Sequence, residues 1–155
     1  EYKFQEQATA LAKIQAEDGF YHRIGDLVRR DASGHLWFQG RKSHRLQTAD
    51  GLLTPVPTEI LYNSAAKVHR TALVGVGRSG EERPVLVIEC EPGCTPKSKA
   101  AKEQFIVRLK QHVADAEGAA KIHAYLFHPG FPVDVRHNAK IHRDQLKAWA
   151  EAQLG

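Results

Sequence analysis

Val68-His-Arg-Thr-Ala-Leu-Val-Gly-Val76 and Val85-Leu-Val-Ile-Glu-Cys-Glu91 are apolar runs of strand length, separated by the Gly-, Ser- and Glu-rich residues 77–83. Short runs rich in β-branched residues and bounded by turn formers pack as strands, and so short a polar spacer predicts an antiparallel hairpin. On the C-terminal side, after Pro92-Gly93, residues 98–117 set Phe105, Ile106, Leu109 and Val113 on one helical face, with Gly118 as the stop. Residues 123–127 read as a third strand and residues 144–153 as a last helix, packed through Leu146, Trp149 and Ala150. Upstream, a loop with Asp50-Gly51, Pro55 and Pro57 precedes a short helix over residues 58–66, capped by Thr58. Residues 3–16 read as a helix through Phe4, Ala8, Leu11, Ala12 and Ile14, ended by Gly19. Residues 20–30 and 35–39 then form two strands about a turn at 31–34. Strands and helices in this order predict an α+β domain, with a small mixed or antiparallel sheet flanked by helices and preceded by a β-hairpin. The change of pattern after Arg41 puts the boundary near residue 42, dividing the chain into 1–42 and 43–155.

A chain of 155 residues and 17.3 kDa can bury one core of ordinary size. It contains no Met, even at position 1, which suggests a piece of a longer protein. Lys and Arg outnumber Asp and Glu by 22 to 18, for a net charge of +4 and a pI near 9.1. So mild an excess suits a phosphate-bearing ligand. The basic residues are scattered, and neither a Gly-aromatic RNA signature nor zinc-finger spacing is present, so nucleic acid is not an expected partner. Lys97, Lys99, Lys102, Arg108 and Lys110 read as the wet face of their helix. Cys90 and Cys94 lack the further ligands a metal site needs and read as reduced structural thiols. No apolar run approaches the roughly 18 residues of a membrane span and no signal peptide opens the chain, so a cytoplasmic protein is expected.

Two stretches carry candidate chemistry. Phe131-Pro-Val-Asp-Val-Arg-His-Asn-Ala-Lys-Ile-His-Arg-Asp-Gln-Leu146 sets Lys140 in a tight polar turn before the last helix. About a hundred residues upstream, His22-Arg-Ile-Gly-Asp26 leads through a strand and a turn to Leu36-Trp-Phe-Gln-Gly-Arg-Lys-Ser43. Together they resemble the C-terminal part of adenylate-forming, AMP-binding ligases, which carry Thr-Gly-Asp, a Gly-Arg hinge and a catalytic lysine within Gly-Lys-Ile-x-Arg. A narrower resemblance, in HRIGDLVRRDASGHLWFQGRKSHR, RTALVGVG and HPGFPVDVRHNAKIHRDQLKAW, is to the synthetases of bacterial olefin biosynthesis, which convert a β-hydroxy acid to a β-lactone with ATP.

The resemblance implies that residues 1–42 are the edge of a large N-terminal domain with the hinge approach, and that 43–155 are a mobile lid. Lys140 matches the adenylation lysine, although Ala139 and Asn138 stand where the wider family has Gly and a nearby Ser or Thr. Its ammonium would neutralise the charge that gathers on phosphorus when a carboxylate attacks the α-phosphate of ATP. Asp26, after Ile24 in place of the usual Thr, would accept from two ribose hydroxyls, and Arg41 of the hinge would serve the same ribose or a carboxylate. Ser43 falls at the pivot. ATP chemistry implies Mg²⁺, for which the sequence offers no ligand. The implied partners are a long-chain β-hydroxy acid, the N-terminal domain of the same protein and other enzymes of the olefin pathway. The fragment alone is expected to be inactive.

Read one residue at a time, the same positions have plainer explanations: a solvated lysine, a hairpin aspartate bonding its own backbone, a surface arginine. His137 and His142 are five apart, which fits no helical metal pair. The loop Gln47-Thr-Ala-Asp-Gly-Leu-Leu-Thr-Pro-Val-Pro57 has an acid, Asp50, before Gly51, where thioester-forming members carry a base. That disfavours a phosphate-rich thiol, leaving the substrate's own β-hydroxyl to displace AMP. A long-chain acyl-CoA ligase and a non-catalytic basic binding module are the alternative functions.

Overall fold

The computed structural model describes residues 6–116, 122–134 and 137–155, which divide into two units, Glu1–Ser43 and His44–Gly155. The first unit holds helix α1 (Glu6–Ala12) and two antiparallel hairpins, β1 (Lys13–Ala16) with β2 (Gly19–His22) and β3 (Asp26–Arg30) with β4 (Leu36–Arg41). The helix expected over 3–16 is thus cut at Ala12. Ile14 and Tyr21 face each other across the first hairpin, whose backbone hydrogen bonds replace those of the missing helical turn. The single strand expected over 20–30 is two, because Gly25, at φ +78, takes a left-handed conformation that breaks the extended chain. At the second hairpin's turn, Asp31 accepts hydrogen bonds from the Ser33 and His35 amides and from the Trp37 indole. The Trp37 hydrogen bond is the largest influence on its carboxyl, which is held below the ordinary carboxylate range.

The second unit is built on a three-stranded sheet of order β7-β8-β9 (Val68–Val76, Arg83–Cys90, Ala124–Phe127), with β7 and β8 antiparallel and β8 and β9 parallel. Helix α3 (Lys99–His112) lies within the crossover that a parallel pair requires. Both faces of the sheet are covered. Leu73, Leu86 and Ile88 meet Tyr62 of helix α2 (Pro55–Asn63) and Phe105 and Leu109 of α3, whereas Ala72, Val74, Val85 and Val87 meet Leu146 and Ala150 of α4 (Arg143–Leu154). A strand buried on both faces reads as an unbroken apolar run, and so these two strands are plain in the sequence. The ladder slips between Val68 and Arg70, and Val68 and Leu73 therefore share a face despite their odd spacing.

Three local expectations need correction. Helix α2 begins at Pro55 with Thr54 at the N-cap, while Thr58 is buried inside it; proline is tolerated in a first turn, where the amide it lacks has no partner anyway. The loop before it contains a small hairpin, β5 (Leu46–Thr48) with β6 (Gly51–Leu53). Helix α3 ends at His112, and the expected stop at Gly118 lies outside the described residues. Ser98 caps its start by accepting from the Ala101 amide. Cys90 is buried and Cys94 half-buried, both unpaired. No helix among the described residues is long and apolar enough to cross a membrane.

Candidate functional site

Lys140 lies in a strand, not in the tight turn expected of it: β11 (His137–Ile141) pairs with β10 (Val133–Asp134), setting Ile141 opposite Val133. Val133 and Ile141 pack against the apolar cluster beneath α4, and alternation along the strand leaves the neighbouring Lys140 exposed. The side chain of His137 lies outside the described residues. His142 is the N-cap residue of α4 and makes no side-chain cap hydrogen bond; its amide donates to the Pro132 carbonyl at 2.9 Å, closing the end of the hairpin.

The segment bearing Lys140 is pinned at entry and at exit. At entry, the buried Phe131 donates its amide to Glu89 Oε2 (2.8 Å), which also accepts from Arg70 Nε (2.7 Å). The Arg70 guanidinium stands 5.3 Å from the Phe131 ring centroid. His128 packs edge-on against Phe131 and Trp149, and its desolvation lowers the imidazole pKa. At exit, Arg143 Nη1 and Nη2 donate to Glu59 Oε1 (2.5 Å) and Oε2 (2.7 Å). Arg143 Nη1 also reaches the Leu73 carbonyl (3.3 Å), while the Leu73 amide donates to Glu59 Oε1 (2.7 Å). This fork is largely buried, with side-chain exposures of 15% for Arg143 and 10% for Glu59, and it ties α4 to α2 and β7. Sequence reasoning did not single out either residue. The signals for them are the Lys-Ile-x-Arg spacing from Lys140 and an acid set among apolar residues in Thr58-Glu-Ile-Leu-Tyr62.

The entry clamp carries a pH signature. Burial raises the Glu89 pKa, but the Arg70 and Phe131 hydrogen bonds and the charges of Arg70 and His69 outweigh it, leaving the group below its ordinary 4.5. A depressed folded-state value means stability that is complete above 4.5 and lost as pH falls through the folded value. Glu89→Gln is therefore expected to cost about 1–3 kcal/mol at pH 7 and progressively less toward pH 3. Urea unfolding of both proteins across that range checks this; a difference that does not change with pH would contradict it.

In the other unit, Asp26 and Arg41 face each other as register partners across β3 and β4. Arg41 Nη1 lies 2.9 Å from Asp26 Oδ1 and donates to the Ile24 carbonyl at 2.6 Å. Asp26 Oδ1 is buried and has no hydrogen-bond partner among the described residues, so its contact with the guanidinium is electrostatic. The Arg41 side chain remains 54% exposed, with donors to spare. Ser43 is exposed in the short 3₁₀ turn Lys42–His44, at the junction of the two units. The structure thus brings Asp26 and Arg41 together, with Lys140 carried by the second unit. Among the described residues, no group of three His, Cys, Asp or Glu side chains could hold a metal ion.

No family model matches the chain. It is 46% identical over 153 residues to an olefin β-lactone synthetase of Stenotrophomonas maltophilia, covering 96% of this chain and 27% of the relative. This chain is homologous to part of the olefin β-lactone synthetases. The enzyme of that name from Xanthomonas campestris pv. campestris agrees, at 44% identity over 157 residues, with 98% and 28% covered. The chain therefore spans little more than a quarter of the length of these synthetases. Among solved structures, an ATP-bound RpMatB-BxBclM chimera superposes with a TM-score of 0.73 at 19% identity, over 96% of this chain and 28% of the chimera. At that identity the likeness shows the fold, which is that of the C-terminal domain of adenylate-forming enzymes.

Proposed function

We propose that the chain is the C-terminal portion of an ATP-dependent, AMP-forming β-lactone synthetase, acting on a long-chain β-hydroxy acid through an acyl-adenylate. The observation that carries this reading is its 46% identity to an olefin β-lactone synthetase over nearly its whole length. In this reading residues 1–42 are the edge of the large N-terminal domain and the approach to the hinge, Ser43 is the pivot, and 43–155 form the lid. Among the described residues up to Ser43, nine large apolar side chains are exposed, Phe20, Trp37 and Phe38 among them, as expected of a surface that packs against further chain. Other enzymes of olefin biosynthesis are its proposed partners. Its proposed compartment is the cytoplasm, where Cys90 and Cys94 stay reduced.

The residues present fit a nucleotide. Asp26 Oδ1, buried and without a hydrogen-bond donor, offers an acceptor to a ribose hydroxyl, and the exposed guanidinium of Arg41 offers donors beside it. When bound, ATP supplies the α-phosphorus that the substrate carboxylate attacks, and Mg²⁺ accompanies it. Lys140, exposed on its strand, places a cation against the charge that develops there. The substrate's own β-hydroxyl then displaces AMP, an intramolecular step favoured by proximity.

The test is a product analysis of the full-length protein with ATP, Mg²⁺ and a long-chain β-hydroxy acid, with and without coenzyme A. AMP and a β-lactone formed without coenzyme A are the expected products. A thioester formed only with coenzyme A would make the protein an acyl-CoA ligase, and no AMP at all would end both readings.

A further inference from the structure

Arg143 and Glu59 are 84 residues apart in sequence, yet they form the most completely hydrogen-bonded ionic contact described in the second unit. The Glu59 carboxylate accepts three hydrogen bonds, two from the guanidinium and one from the Leu73 amide of the central sheet. A bidentate guanidinium–carboxylate pair fixes direction as well as distance, which a single ammonium contact cannot do. Arg143 is three residues beyond Lys140, and the short link between them is held by the Ile141–Val133 pairing and by the His142 amide on the Pro132 carbonyl. Leu146 and Ala150 pack α4 on the sheet, with Ile141 of β11 against the same cluster, and apolar contacts of this kind are non-directional. A charged fork buried at this point adds a fixed direction for the chain just after β11, the strand that carries Lys140.

Resting on the reading of Lys140 as the adenylation lysine, we propose that the Arg143–Glu59 fork is its positioning device. Neither residue touches substrate in this proposal. Each acts by tying the first residue of α4 to α2 and β7, which fixes where β11 ends, so that the exposed ammonium arrives at one place. Displacing a catalytic group by about 1 Å costs on the order of 100-fold in rate, so loosening the fork is expected to lower turnover sharply while binding of ATP changes little.

The experiment compares Arg143→Lys and Glu59→Gln with wild type in the full-length protein, each alone and combined with Lys140→Ala. A core variant on the face of the sheet opposite α4, Phe105→Leu, controls for general loss of stability. Steady-state AMP formation is expected to fall about 100-fold in kcat for both fork variants, with KM for ATP nearly unchanged. Phe105→Leu should retain activity below its melting temperature. Placed on Lys140→Ala, the fork variants are expected to cost nothing further, since the group they position is gone. Equal losses with and without Lys140, or wild-type kcat in both fork variants, would overturn the proposal. Hydrogen exchange of the peptide 137–142, compared with that of 68–76, separates it from the reading beneath it. If Lys140→Ala is silent yet Glu59→Gln speeds exchange in 137–142 alone, the anchoring stands and the assignment of Lys140 falls. Unchanged exchange there overturns the anchoring itself.

Discussion

Lys140→Ala in the full-length protein is expected to lower acyl-adenylate formation by about 10²–10³-fold, the loss typical of removing one group that meets charge developing in a transition state. The size of the effect follows from when that charge appears. Substrate carboxylate and triphosphate are both anionic before they react, and further negative charge gathers on the phosphorus oxygens as the new bond forms. A cation at that point lowers the barrier more than it aids ground-state binding, so the loss should fall on kcat. Because Lys140 is exposed and its neighbours Val133 and Ile141 hold the hairpin, the fold should not notice the change. Surface substitutions of this kind stay within about 0.5 kcal/mol. ATP–pyrophosphate exchange, read beside thermal unfolding, checks both halves; retained exchange would remove Lys140 from the site. Lys140→Arg is expected to restore little, since a planar guanidinium on a longer stem keeps the charge but not its place.

How far the chain could be read without coordinates varies with the physics of each element. The two central strands were legible because burial on both faces writes itself as continuous apolar sequence. The facing of Asp26 and Arg41 could be counted outward from the turn at Asp31–Gly34, give or take the bulge after Leu27. Lys13–Ala16 has the pattern of a helix because Ile14 continues the helical spacing of Leu11 and Ala8, whereas pairing to Gly19–His22 makes it a strand. Lys140 has the local pattern of a turn residue for a similar reason, although it lies in β11. Most of the sequence around it is polar, and among the described residues Val133 and Ile141, eight positions apart, mark the buried face of the hairpin. The Glu59–Arg143 fork was invisible for a different reason: no local pattern reports a partner 84 residues away.

Glu59→Ala is expected to destabilise the chain by about 3–5 kcal/mol, the range for breaking a buried ion pair by removing one partner. Most of that is the cost of leaving the Arg143 guanidinium among α2, β7 and α4 without its counter-charge. Since Arg143 keeps 15% of its side chain exposed, it can turn partly to water, which points to the lower end of the range. The midpoint of urea unfolding, with the slope of the transition unchanged, measures the effect. A loss of less than about 1 kcal/mol, the level of an exposed pair, would show that the fork is solvated in solution. Replacing both partners, as Glu59→Leu with Arg143→Met, is expected to recover much of the loss, because no unpaired charge is then buried. Recovery should stop short of wild type. Glu59 is also the acceptor for the Leu73 amide, and an apolar pair leaves that donor buried and unpaired in the central strand, at about 1–3 kcal/mol. The double variant should therefore be more stable than Glu59→Ala yet still lack the directional hold on β11, separating the contribution of the fork to stability from its proposed action on Lys140.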